Sequence, residues 1–128
     1  MILDSSAIVS LICREPGHAQ LIDKIAATKQ LLVGAPTLAE TELVLTIKLG
    51  YDAGALVEQF LAETQTLVLP FSREHVSVFL EAFLRYGKGR HPARLNMGDC
   101  FTYATAKIAR RPVLFVGDDF SKTDLTAA

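Results

Sequence analysis

Short, fully apolar runs alternate along the chain with longer segments whose apolar residues recur at helical spacing. Four such runs, at residues 1–3, 31–33, 67–69 and 113–116, are typical of buried strands. Between them, apolar spacing predicts helices over 7–13, 16–26, 38–49, 55–61, 72–86 and 99–110. All-apolar strands that alternate with helices indicate a sheet covered on both faces. The pattern therefore predicts an α/β fold with a mostly parallel central sheet and leaves the strand order open.

Polar residues and glycines mark the expected ends of these helices. Ser5 and Ser6 offer hydroxyl caps for the first helix, and Thr37 is expected to cap the helix that follows the second strand. Gly50 and Gly87 stand where two helices should end.

Length and composition fit one globular domain over residues 1–128, of which 50% are hydrophobic and 21% charged. Cys13 and Cys100 have no paired spacing, which excludes a zinc motif or a disulfide framework and favours buried free thiols. The chain opens without a signal-like segment and has no long apolar run, so we expect a cytoplasmic protein. The net charge of −1 gives no indication of a nucleic-acid partner.

Acidic residues directly follow two of the predicted strands. Asp4 follows the first strand, and the pair Asp118 and Asp119 follows the fourth. Ligands of open parallel sheets bind beyond the carboxyl ends of the strands, so these acids are candidates for one site. Each acid alone is more simply read as a helix cap or a turn residue.

Three further acids lie near predicted helix starts, where the helix dipole stabilises a carboxylate: Glu40, Glu42 and Asp99. Several carboxylates gathered at one sheet edge would repel one another and raise each pKa unless a cation lay among them. Oxygen ligands without His or Cys select Mg²⁺ or Mn²⁺. Such ions bind a phosphate and activate a water for in-line attack at phosphorus.

Four sequence blocks contain these acids in order, namely Met1-Ile-Leu-Asp-Ser-Ser-Ala7, Thr37-Leu-Ala-Glu40, Leu95-Asn-Met-Gly-Asp-Cys-Phe-Thr-Tyr-Ala104 and Leu114-Phe-Val-Gly-Asp-Asp-Phe-Ser-Lys-Thr-Asp124. With them the whole chain resembles the PIN-domain ribonucleases, and more narrowly the VapC-type toxins of bacterial toxin–antitoxin pairs. The resemblance implies a three-layer α/β/α sandwich and hydrolysis of RNA phosphodiester bonds with Mg²⁺, or alternatively Mn²⁺. It also implies a homodimer and a cognate antitoxin as partners.

Site roles follow from the same resemblance. It implies the catalytic acids Asp4, Glu40, Asp99 and Asp119, with Asp4 and Asp99 as the principal metal ligands. Asp119 is favoured as the fourth acid because it directly precedes Phe120, and Asp118 stays the alternative. Glu42 is the alternative to Glu40. Ser6 either hydrogen-bonds a ligand carboxylate or simply caps its helix.

A basic segment leads into Asp99, with no acid between Glu81 and Asp99. We expect its four cations to contact RNA phosphates: Arg85, Lys88, Arg90 and Arg94. Tyr86 is a candidate for stacking on an unpaired base. The alternative is a solvated loop whose charges serve solubility.

Apolar side chains over residues 38–64 are dense enough to form an antitoxin groove as well as core, and the sequence does not divide them between the two. Two other functions remain open from the residues alone. One is a catalytically silent PIN-like RNA-binding or scaffold module, and the other is a metal-dependent DNA nuclease or phosphatase.

Overall fold

Four short strands and six helices make up the fold, which a computed structural model describes over all 128 residues. The strands are β1 (Ile2–Leu3), β2 (Leu32–Gly34), β3 (Leu67–Leu69) and β4 (Val113–Leu114). The helices are α1 (Ser5–Ile12), α2 (His18–Ala26), α3 (Ala35–Leu49), α4 (Gly54–Thr64), α5 (Arg73–Tyr86) and α6 (Met97–Ala109). A 3₁₀ turn at Phe120–Lys122 follows β4.

The sheet has the order β3-β2-β1-β4, and every neighbouring pair is parallel. Ile2 on β1 is in register with Leu32 on β2 and with Val113 on β4. The carboxyl ends of all four strands consequently meet at one edge. The predicted α/β fold with a mostly parallel sheet is confirmed, and the structure supplies the strand order.

Successive strand residues enter separate cores, since side chains alternate across a strand. Ile2 packs with Tyr103 of α6 and Ala82 of α5, whereas Leu3 packs with Ile8 of α1 and with Leu21 of α2. Helices therefore cover both faces of the sheet, which gives the three layers that the sequence implied. A smaller cluster, Val9, Leu45, Ala53 and Val57, packs α3 and α4 against α1.

Two predicted helix caps are wrong. Helix α3 begins at Ala35 with Gly34 as its N-cap, so Thr37 lies buried in the first turn rather than at the cap. Pro36 suits that early start, because a proline in the first turn forfeits no intrahelical hydrogen bond. Helix α1 is capped by the side chain of Asp4, which accepts from the backbone N–H of Ser6.

Both cysteines are free thiols, Cys100 buried and Cys13 half-buried. None of the helices combines the length and the apolar character that crossing a bilayer requires.

Candidate active site

Asp4 sits where β1 ends, between two parallel neighbours. Its backbone N–H donates to the carbonyl of Leu114 on β4 at 3.0 Å, which fixes its position at the carboxyl edge of the sheet. Only 4% of the residue is exposed. A carboxylate so deeply placed requires hydrogen-bond partners, since an unpaired buried charge is costly.

Hydroxyl and amide donors supply those partners on both oxygens of Asp4. Oδ2 accepts from the backbone N–H of Ser6 at 3.1 Å and from its hydroxyl at 2.5 Å. Oδ1 accepts from Thr102 Oγ1 of α6 at 2.7 Å. Ser6 Oγ in turn accepts from the N–H of Val116 at 3.0 Å, which ties the end of β4 to the site.

A second hydroxyl continues this arrangement into the interior. Thr37 Oγ1 of α3 lies 3.1 Å from Thr102 Oγ1, and neither threonine is more than 1% exposed. A hydroxyl carries one proton. Because Thr102 donates its proton to Asp4, Thr37 must be the donor in the pair. The chain of donors therefore runs from Thr37 through Thr102 to Asp4.

Asp99 lies in the first turn of α6, in a reciprocal capping box with Asn96. The Asp99 N–H donates to Asn96 Oδ1 at 2.9 Å, and the Asn96 N–H donates to Asp99 Oδ2 at 2.9 Å. The pKa of Asp99 is raised to about 7, chiefly by burial. The hydrogen bond with Asn96 lowers this pKa, whereas the charges of Asp4, Asp119 and Glu40 contribute to raising it. These four acids therefore interact electrostatically at one place.

Glu40 approaches this group from the second turn of α3. Its Oε1 accepts from the hydroxyl of Ser5 at 3.0 Å. Burial raises the pKa of Glu40, the Ser5 hydrogen bond lowers it, and the charge of Asp4 raises it again. Glu40 also lies against Gly98, where an added Cβ atom would overlap Glu40 Oε2. Any side chain at position 98 would therefore displace the carboxylate from this position.

The sequence left open the choice between Asp118 and Asp119 and the choice between Glu40 and Glu42, and the members of each pair have different surroundings in the structure. Asp118 forms an ion pair with Lys122 at 3.1 Å, and its side chain is 75% exposed, whereas Asp119 contributes to the electrostatic shift of Asp99. Glu42 lies away from Glu40, in a surface cleft beside Ile47 and Tyr51. Asp119 and Glu40 are thus the members of each pair that join the other acids.

No basic side chain compensates the four acids. The chain forms four salt bridges, and none of them includes Asp4, Glu40, Asp99 or Asp119. The donor set consists of carboxylate oxygens and hydroxyls, which suits Mg²⁺ or Mn²⁺ rather than zinc.

No three His, Cys, Asp or Glu side chains form a group that could hold a metal ion together. Mg²⁺ does not require such a cage, because it is usually held by one or two carboxylates and keeps several waters. The uncompensated acids therefore fit a hydrated divalent cation.

Two surface cavities border the acids and differ in character. One is an open groove of about 410 Å³, the cationic groove, whose polar lining is Lys88, Arg94, Asn96, Asp118, Asp119 and Lys122. The other is an apolar cleft of about 470 Å³ beside Glu40, which contains Pro36, Ala39, Leu43, Met97 and Phe101.

The basic segment that precedes Asp99 is only partly directed to this groove. Lys88 and Arg94 line it. Arg85 instead approaches Asp124 at 3.6 Å, and Arg90 lies over the ring of Phe83. The stacking role expected for Tyr86 is wrong, because the ring is 6% exposed and packs against Tyr103 in the core.

Sequence reasoning missed the roles of five residues in this region. Thr102 and Gly98 were missed because their contacts are with residues from distant parts of the chain. Ser5 and Thr37 were interpreted only as caps, and Lys122 was not considered. A hydroxyl three residues after Asp99, on the same face of the helix, is the signal that could have indicated Thr102.

A family model, a similar sequence and similar solved structures all relate this chain to the same group of proteins. The PIN domain family model matches residues 1–125. Ribonuclease VapC36 of Mycobacterium tuberculosis is 46% identical over 126 residues, which is 98% of this chain and 91% of that protein. The crystal structure of M. tuberculosis VapC20, described as a sarcin-ricin loop cleaving toxin, superposes with a TM-score of 0.81 at 16% identity, over 99% of this chain and 97% of the other. VapBC2 of Rickettsia felis bound to a DNA fragment from its promoter superposes with a TM-score of 0.76 at 13% identity, over 99% and 96%.

Proposed function

The chain belongs to the PIN domain family, and from this premise we propose that it is a metal-dependent endoribonuclease of the VapC type, the toxin of a toxin–antitoxin pair. The observation that carries the proposal is the group of four acids at the carboxyl edge of the sheet without a basic partner. A scaffold protein gains nothing from gathered carboxylates, since their repulsion destabilises the fold.

Mg²⁺, when bound, supplies charge stabilisation and water activation for phosphodiester hydrolysis, with Mn²⁺ as the alternative ion. Asp4 and Asp99 are the residues that would hold it. Hydroxyls of Ser6 and Thr102 fix the Asp4 carboxylate in one orientation, so its oxygens need no reorganisation on binding.

Glu40 and Asp119 complete the proposed catalytic set. Glu40 is oriented by Ser5 and lies beside Gly98, which suits it to accept a hydrogen bond from a reacting water. Asp119 follows β4 and borders the cationic groove, so it stands between the acids and the cations Lys88 and Arg94. Asp118 has no proposed catalytic role, because it is paired with Lys122 at the surface.

Cleavage of a labelled single-stranded RNA tests this assignment. We expect cleavage with Mg²⁺ or Mn²⁺, none in EDTA, and a loss of at least a hundredfold for Asp4→Asn and for Glu40→Gln. Glu42→Gln is the matched control, because it removes the same charge two residues away and outside the site; it should cleave at the unchanged rate. Cleavage that survives Asp4→Asn or EDTA would contradict the mechanism, and a preference for DNA would redirect it to a DNA nuclease.

The partners in this proposal are cytoplasmic RNA, a cognate antitoxin and a second copy of the chain. For the antitoxin we propose the exposed face of α3. Leu43, Val44 and Ile47 are exposed there, whereas Val57 and Leu61 belong to the core. Leu43 also lines the apolar cleft beside Glu40, so an antitoxin bound along α3 would reach the acids.

For the homodimer we propose the exposed apolar face of α5. Val76, Leu80, Phe83 and Leu84 recur there at helical spacing and are 37–56% exposed.

Expression in a bacterial host should arrest growth, and co-expression of the antitoxin should relieve the arrest. Growth arrest by the Asp4→Asn variant would contradict a toxic activity that depends on RNA cleavage.

A further inference from the structure

The cationic groove takes two cations from the basic segment, Lys88 and Arg94, and these two are not engaged by other side chains. Lys88 and Arg94 form no salt bridge. Both are exposed, and both lie within a few residues of Arg85 and Arg90. Arg85 is taken up by Asp124 and by the ring of Tyr86, and Arg90 by the ring of Phe83. Four cations of similar sequence position thus fall into two free and two engaged.

The backbone around these two free cations is held in place before any ligand arrives. The N–H of Lys88 donates to the carbonyl of Leu95, and the N–H of Leu95 donates to the carbonyl of Tyr86, each at 3.0 Å. Arg94 has a φ of 55° and its N–H donates to the carbonyl of His91 at 3.0 Å. The segment is a braced loop, so little ordering entropy opposes binding.

A third cation reaches the groove from the turn after β4. Lys122 pairs with Asp118 at 3.1 Å, with side chains 45% and 75% exposed respectively. An exposed ion pair of this kind is worth at most about 1 kcal/mol. A phosphate can therefore replace Asp118 as the partner of Lys122 at small cost.

The groove also has a direction. It is continuous with the acids, because Asp119 belongs to both and Asn96 caps the helix that carries Asp99. The apolar cleft beside Glu40 contains no cation. Of the two cavities that border the acids, only the cationic groove can hold a polyanion electrostatically.

We propose that the cationic groove binds the phosphodiester backbone of the RNA strand on one side of the scissile bond, through Lys88, Arg94 and Lys122. This inference rests on the proposed function, because it names the path of that substrate. Arg85 and Arg90 lie outside the path. Contact through phosphates rather than base edges means that the groove positions the strand and contributes no sequence preference.

Equilibrium binding in EDTA tests the groove without any turnover. The probe is a short fluorescein-labelled single-stranded RNA, followed by anisotropy over a series of salt concentrations. The groove variant is Lys88→Ala/Arg94→Asn, in which asparagine replaces Arg94 because asparagine tolerates a positive φ. We expect affinity about tenfold weaker, and a slope of log K against log salt about 1.4 smaller, or about 0.7 for each lost phosphate contact.

The matched control is Arg85→Ala/Arg90→Ala, which removes two charges from the same segment and should leave the slope unchanged. Asp118→Asn frees Lys122 and should tighten binding by about two- to fivefold. Thermal melting tests whether each variant is folded. If Lys88→Ala/Arg94→Asn does not fold, Lys122→Ala replaces it, with an expected slope change of about 0.7.

Equal slope changes in the two double variants, or an unchanged slope in the groove variant, would overturn the groove while leaving RNA as the substrate. Absence of salt-dependent RNA binding by the unchanged protein would overturn the RNA substrate and the groove together.

Discussion

Thr102 Oγ1 donates a hydrogen bond of 2.7 Å to Asp4 Oδ1 across 98 positions of the sequence. The bond joins the first turns of α6 to the end of β1, so it couples the helix of Asp99 to the strand of Asp4. Thr37 backs Thr102 from α3, the helix of Glu40. Two buried hydroxyls therefore link the three elements that carry the central acids, and the alignment of those acids depends on them.

Thr102→Val should disrupt this alignment without changing the shape of the core. Valine fills the same volume but donates no hydrogen bond, which leaves the Asp4 carboxylate short of one partner. We expect Mg²⁺ affinity, measured by calorimetry, and the cleavage rate to fall about ten- to a hundredfold. Thr102→Ser, which keeps the hydroxyl, should recover most of both.

Thr105→Val is the control for this prediction. Its hydroxyl is also buried but donates to the carbonyl of Phe101 in its own helix. Equal losses of Mg²⁺ affinity in Thr102→Val and Thr105→Val would mean that the Thr102 effect is only one of packing.

Gly98→Ala should impair catalysis through a single methyl group. The new Cβ would overlap Glu40 Oε2, so the carboxylate must move from its present position. Alanine is otherwise favourable in a helix, and thermal stability should change little. We expect cleavage to fall at least tenfold, and the double variant Gly98→Ala/Glu40→Gln to be no worse than Glu40→Gln alone. Additive losses would show that Gly98 acts independently of Glu40.

The sequence was informative about the strands and about the acids that follow them, although two helix caps were predicted wrongly. Apolar runs gave the four strands within two residues, because a strand buried on both faces leaves no polar positions. Asp4 could be placed at the sheet edge because it directly follows β1, and Asp119 because it comes shortly after the fourth apolar run.

Contacts between distant residues were beyond this reasoning. Strand order, the Thr37–Thr102–Asp4 chain and the approach of Glu40 to Gly98 depend on how elements pack, which no local pattern encodes. Packing also decides which cations of the basic segment are engaged by other side chains and which are free, so the sequence did not indicate this difference. Arg85 is engaged by Asp124, a residue 39 positions away that only the fold brings near.

Asp99 should make the metal-free protein less stable as the pH rises. Its carboxyl group has a pKa of about 7 in the folded chain against 3.8 as its ordinary value, so the folded state binds more protons between those pH values. Stability is therefore lost as the pH rises through about 7. Asp99→Asn removes this proton uptake. Melting in EDTA should show Asp99→Asn increasingly more stable than the unchanged protein from pH 5 to pH 8.

Mg²⁺ should reverse that difference at pH 8. A cation stabilises the ionised carboxylates of the folded chain and raises its melting temperature by mass action. The rise should be large in the unchanged protein and small in Asp99→Asn. Parallel pH profiles of the two proteins in EDTA would show that the pKa of Asp99 is not raised, and equal Mg²⁺ shifts would remove Asp99 from the metal ligands.

Ile47→Glu should release the toxin from its antitoxin while leaving RNA cleavage intact. Ile47 is 75% exposed on α3 and lies outside the acid cluster, so the change places a charge on the proposed antitoxin face alone. Loss of one buried apolar anchor costs an interface about 1–2 kcal/mol, which is about five- to thirtyfold in affinity. We expect co-expressed antitoxin to relieve growth arrest by the unchanged protein and to fail with Ile47→Glu. Ile22→Glu makes the same change at an exposed isoleucine of α2, and that variant should remain neutralised. Neutralisation of both variants alike would move the antitoxin away from α3.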